Sequence, residues 1–121
     1  MNFTSIVDLI KIFANEYCVP GSLVLFIGQA NDEIRKIFKF INSELIVVDS
    51  IKGPSVDILL NSNYELPFEN HSFDLIIKNN NLSNLSNLSI FLKTNGKLLI
   101  NESVIDSIDY YFLCNQTFSV V

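Results

Sequence analysis

The apolar positions change period several times along the chain, and each change marks an element. Ile6, Leu9, Ile10 and Phe13 recur at helical spacing behind Thr4, a fitting N-cap, and the pattern stops near Cys18 ahead of Pro20 and Gly21. This predicts a flanking helix. Leu23 to Ile27 is an unbroken apolar run ended by Gly28, as expected of a strand covered on both faces in a parallel sheet. Asn31 or Asp32 can cap a second helix that runs to Ile41, with Ile34, Ile37, Phe38 and Ile41 on its inner side. Leu45 to Val48 reads as a second buried strand stopping at Asp49. The following loop, Ser50 to Ser55, contains Gly53 and Pro54 and is too short for a crossover helix.

Three more strands follow: Val56 to Leu60, Phe73 to Ile77 and Lys97 to Ile100. Leu82, Leu85, Leu88, Ile90 and Leu92 supply a short helix between the last two, with Asn95 and Gly96 as its stop. Tyr110 to Cys114 and Thr117 to Val121 can close the sheet edge as an antiparallel hairpin turning at Asn115 and Gln116. The expected architecture is α/β, a mainly parallel sheet with helices on its faces. Leu25, Ile27, Val47, Leu75, Ile76 and Leu99 are the candidate core. One domain spans residues 1–121: an N-terminal helix (1–20), a core (22–101) and closing strands (102–121). A chain of this length buries roughly two-thirds of its unfolded surface.

Composition removes several classes of function. The formal net charge is −5, and the eight Lys and Arg are scattered apart from Arg35, Lys36 and Lys39, so there is no basic footprint for nucleic acid. No segment reaches the roughly 20 apolar residues of a membrane span, and the N-terminus lacks the basic lead and cleavage site of a signal peptide. A cytosolic protein is expected. Cys18 and Cys114 are far apart, with neither a CxxC nor a nearby His, and read as buried free thiols rather than as a metal or redox site. The sole histidine, His71, reads as a solvated turn residue.

Four stretches together resemble the class I S-adenosylmethionine-dependent methyltransferases, of the type 11 kind. LVLFIGQAND (23–32) is similar to the first strand and glycine loop, IVVDS (46–50) to the second strand with its terminal acid, LPFENHSFDLII (66–77) to the lead-in and body of the fourth strand, and FLKTNGKLLI (91–100) to the opening of the fifth. The resemblance implies a reduced Rossmann-like fold with S-adenosylmethionine as the cofactor. It also implies that Gly28, Ala30, Asp49, Asn61 and Lys78 are the cofactor-binding positions, Asp49 receiving the ribose hydroxyls and Asn61 or Ser62 standing near the adenine amino group. It assigns no catalytic base, because methyl transfer needs mainly alignment of the nucleophile with the sulfonium.

The sequence departs from the family in its loop. The family has an acid two places before the first glycine and a G-x-G-x-G run, where this chain has Phe26 and then Gly28, Gln29, Ala30, Asn31 and Asp32. Two functions follow: a methyltransferase of unassigned acceptor, or a non-catalytic methyltransferase-like module that binds a protein partner. Intact strands beside an eroded ligand loop suit the second.

Overall fold

The computed structural model describes residues 6–61, 65–79, 88–101 and 111–115. Helix α1, Ile6–Tyr17, leads into strand β1, Leu23–Ile27, then helix α2, Asp32–Ile41, and strands β2, Glu44–Asp49, and β3, Ile58–Leu59. Strand β4, Phe73–Asn79, a single 3-10 turn at Leu88–Phe91, strand β5, Leu92–Asn101, and strand β6, Tyr111–Asn115, complete the described chain. They form one six-stranded sheet in the order β3-β2-β1-β4-β5-β6. The first five strands are parallel, and β6 runs antiparallel along β5. β1 is central, flanked by β2 and β4.

Thr4 as a cap, the helical positions Leu82 and Leu85, Ser62 and the Thr117 to Val121 arm all lie outside the described residues. The first arm of the expected hairpin is present as β6, but its pairing is with β5, in the register Leu99 opposite Leu113.

Alternation along the buried strands divides the core in two. Val24, Phe26, Val47, Leu75, Ile77 and Leu99 point to the side where Leu9, Ile10 and Ala14 of α1 and Ile34 and Phe38 of α2 pack. Leu25, Ile27, Val48, Ile76 and Leu98 point to the other side, where the described cover is Leu60, Leu66, Phe68 and the 3-10 turn. All six candidate core residues are fully buried.

Helix α2 shows why these residues make this element. The Asn31 side chain accepts from the Ile34 amide at 2.9 Å, the N-cap bond that satisfies an otherwise orphaned donor. Asp32 and Glu33 then sit in the first turn, where the helix dipole favours negative charge. Asn42 ends the helix in the left-handed region at φ 62 and returns its amide to Phe38 and Lys39.

Two elements differ from the sequence expectation. β3 covers only Ile58–Leu59 instead of Val56 to Leu60. The preceding Asp57 takes the Val47 amide with its carboxylate at 2.8 Å, so a side chain replaces a ladder bond. Arg35 of α2 braces the same corner through the Ser55 carbonyl and an ion pair with Asp57. The second difference concerns Asn95 and Gly96, which do not end a helix. They sit inside β5, where the register jumps from Phe73 opposite Leu92 to Leu75 opposite Lys97 and the residues between bulge out. Asn95 adopts φ 67 there, a left-handed conformation that asparagine tolerates.

Cys18 is free and buried at the end of α1. Burial pushes its thiol up to about 11 from the ordinary 9.0, with the Asp74 charge adding to the shift and a hydrogen bond with Ser43 opposing it. Between those values the unfolded chain ionises this thiol and the folded chain does not, so the contribution to stability is whole below pH 9 and lost as the pH rises through 11. The thiolate is the reactive form, so iodoacetamide at pH 8 should modify Cys18 at least about tenfold more slowly in the native protein than in urea. Mass-spectrometric mapping of the Cys18 peptide measures this; equal rates would mean the site is open. The Cys114 side chain lies outside the described part.

Candidate functional site

An open α/β sheet offers a ligand the crevice beyond the carboxyl ends of its strands, at the point where strand order reverses. Here the chain steps outward from β1 to β2 and β3, then returns to the other side of β1 with β4 and β5. That switch point therefore lies at Gly28 at the end of β1, Asp49 at the end of β2, Asn61 just past β3, and Lys78 and Asn79 at the end of β4.

Gly28 has a structural reason to be glycine. Its φ is +133, and a Cβ built on it would lie 2.5 Å from the carbonyl oxygen of Asn79. Its amide donates to the Val48 carbonyl at 2.8 Å, tying β1 to β2 on the other side. A side chain would wedge β1 from β4 at the switch point.

Asp49 is 4 % exposed, and both its carboxylate oxygens are engaged. Oδ1 accepts from the Ser50 amide at 2.8 Å, and Oδ2 accepts from Nε2 of Gln29 at 2.7 Å. The same Gln29 nitrogen donates to the Ile51 carbonyl at 2.9 Å. The Gln29 amide thus crosses from the β1 loop to the β2 loop. Gly53 backs it: a Cβ at that position would collide with the Gln29 Oε1 atom.

The remaining predicted positions separate. Ala30 is 1 % exposed and its methyl packs with Ile34 and Phe38 in the helical-side core, away from the crevice. Neither Ala30 nor Asp32 has a positive φ, and Asp32 begins α2. Ala30 thus fills the core and Asp32 starts a helix. Phe26 is likewise fully buried in the helical-side core. Asn61 is exposed and follows Leu60, whose amide donates to the Asp49 carbonyl at 2.8 Å. Lys78 is 4 % exposed and stands in register between Ile27 and Ile100. Gly28, Asp49, Asn61 and Lys78 therefore share one end of the sheet, and Ala30 turns away.

Gln29 is the residue that sequence reasoning missed. A polar residue in a loop carries no periodic signal, and its partners lie twenty or more positions away. Elsewhere, Arg35, Lys36 and Lys39 line an open groove of about 430 Å³ with Asp32, Ser43 and Leu45, on the α2 side of the molecule. His71 occupies a turn at φ 58, exposed, with Nδ1 3.0 Å from the Leu92 carbonyl. Among the described residues no group of His, Cys, Asp and Glu could hold a metal ion, and no helix is long and apolar enough to cross a membrane.

The chain has a Rossmann-like fold similar to that of SAM-dependent methyltransferases. Solved structures carry the comparison. The YcgJ protein of Bacillus subtilis matches with a TM-score of 0.58 at 22% identity, over 78% of this chain and 48% of that one. The TehB-like SAM-dependent methyltransferase of Corynebacterium glutamicum matches with a TM-score of 0.54 at 14% identity, over 75% of this chain and 60% of that one. In the third, a candidate methyltransferase is in complex with the Haloferax volcanii Trm112 methyltransferase activator; the TM-score is 0.51 at 13% identity, covering 76% and 55%. The chain spans about half the length of the first solved structures it matches. No family model matches the sequence, and neither does any curated protein. Likeness at these identities carries the fold.

Proposed function

We propose that this chain is a methyltransferase-like domain that has lost tight cofactor binding and acts in the cytosol as a non-catalytic module for a protein partner. The observation that carries the reading is the Gln29 amide on Asp49. The acid that a ribose would need is already bonded within the chain, at 2.7 Å, and is nearly shut off from solvent. The fold is kept while the ligand contact is turned inward, as a repurposed domain would require. A solved neighbour in complex with an activator protein supports a partner for this fold in general terms.

One observation favours the methyltransferase reading. Gly28, Asp49, Asn61 and Lys78 stand together at the carboxyl ends of the strands, which supports a retained cofactor site. Methyl transfer to an unassigned acceptor would need no further residue than those that align donor and acceptor.

Calorimetric titration of S-adenosylmethionine into the purified protein separates the two. The expected dissociation constant is about 0.1 mM or weaker, equivalent to about −5.5 kcal/mol or less favourable. Micromolar binding would overturn the module and restore the enzyme.

A further inference from the structure

We infer that Gln29 is an intramolecular substitute for a ribonucleoside: its amide occupies the acceptor that a vicinal diol would use, and it must swing out before such a ligand can bind. The inference rests on the reading of the crevice as a nucleoside site, and adds to it the group that closes that site.

Four features converge on this one side chain. Asp49 follows the turn glycine Gly28 by about 20 residues, the spacing at which an acid meets a ribose hydroxyl in Rossmann-type sites. Its Oδ2 atom receives a donor, as it would from a hydroxyl, but the donor is Gln29 Nε2. The Ile51 carbonyl fixes the second direction of the same nitrogen. Gly53 leaves the space that the amide oxygen fills. Gln29 itself is an exposed residue, so holding its side chain in one rotamer costs entropy that only these contacts offset.

The amide and a diol compete for the same oxygen, so the closed arrangement subtracts directly from nucleoside affinity. A ligand must first displace a hydrogen bond to a carboxylate, which is stronger than one between neutral groups. Gln29→Ala removes the competitor, leaves Asp49 held by the Ser50 amide and leaves Gly53 uncovered.

The test is a calorimetric titration of S-adenosylmethionine into the full chain, its Gln29→Ala variant, and the Gln29→Ala variant also carrying Asp49→Asn. Circular dichroism and the thermal midpoint verify that each is folded. Gln29→Ala is expected to bind at least about tenfold more tightly than the parent, a gain of about 1.4 kcal/mol. The double variant is expected to give that gain back. Equal or weaker binding by folded Gln29→Ala overturns the substitute, and so does an absence of binding in both parent and variant at millimolar ligand. A tenfold gain that survives Asp49→Asn also overturns it, because the gain would then come from another place.

Should a variant not fold, nuclear magnetic resonance of the unaltered protein decides the matter. The Gln29 side-chain amide resonances should lie away from free-amide positions and move toward them as S-adenosylmethionine is added. Resonances at free-amide positions from the start would overturn the inference. The parent's absolute affinity tests the proposed function, whereas the ratio between parent and variant tests Gln29, so either can fail without the other.

Discussion

Gly28→Ala is expected to destabilise the protein by about 2–6 kcal/mol, a large part of the stability of a domain of this size. Two costs combine at one position. The φ of +133 lies where an L residue is strained, at roughly 1–3 kcal/mol. The new methyl would also stand 2.5 Å from the Asn79 carbonyl oxygen. That oxygen is backbone at the end of β4 and cannot rotate aside, so β1 and β4 must separate at the centre of the sheet. Overpacking of this kind typically adds about 1–3 kcal/mol. Urea denaturation measures the loss as a lower midpoint with an unchanged slope. A loss under about 1 kcal/mol would mean that the strand ends are not in close approach and that Gly28 is available for a ligand.

Ile76→Ala should cost about 2–5 kcal/mol by the same measurement. Ile76 is fully buried in the middle of β4, opposite Leu25 of β1 and Leu98 of β5. It packs on the side of the sheet that carries Phe73, Leu88 and Leu92. Truncation removes apolar burial and leaves a cavity whose walls are strands hydrogen-bonded on both sides, which limits collapse into the space. The upper half of the range therefore applies if the irregular cover stays in place. A cost below about 1 kcal/mol would show that this face is loosely packed.

These expectations draw on both legible and illegible parts of the sequence. Buried parallel strands were readable because continuous apolar runs such as Leu23 to Ile27 and Phe73 to Ile77 have few other uses. Helix α2 was readable because its cap and its stripe agree. β3 was overestimated because apolar pattern cannot reveal that the Asp57 carboxylate would stand in for a ladder bond. Asn95 and Gly96 were misread because the same dipeptide suits a helix stop and a bulge equally, and only strand register separates them. Asp49 and Gly28 were found as candidate contacts at strand ends, where topology puts them together. That the Ala30 methyl fills the core was not legible, because its direction depends on backbone angles that composition does not encode. Gln29 was missed because a side chain that reaches across a crevice leaves no mark on local sequence.

The unequal covering of the sheet has a consequence for motion. On one side, α1 and α2 pack on the strands and on each other through contiguous helical surface, so exposing that side requires a helix to leave. On the other, the described cover consists of short irregular pieces carrying Leu60, Leu66, Phe68 and the Leu88 turn. Such pieces open singly at less cost than a helix. Apolar side chains beneath the helices therefore meet water only in rare large openings, while those beneath the irregular pieces of the opposite face meet it in smaller, more frequent ones. The same sheet thus has a slow side and a fast side.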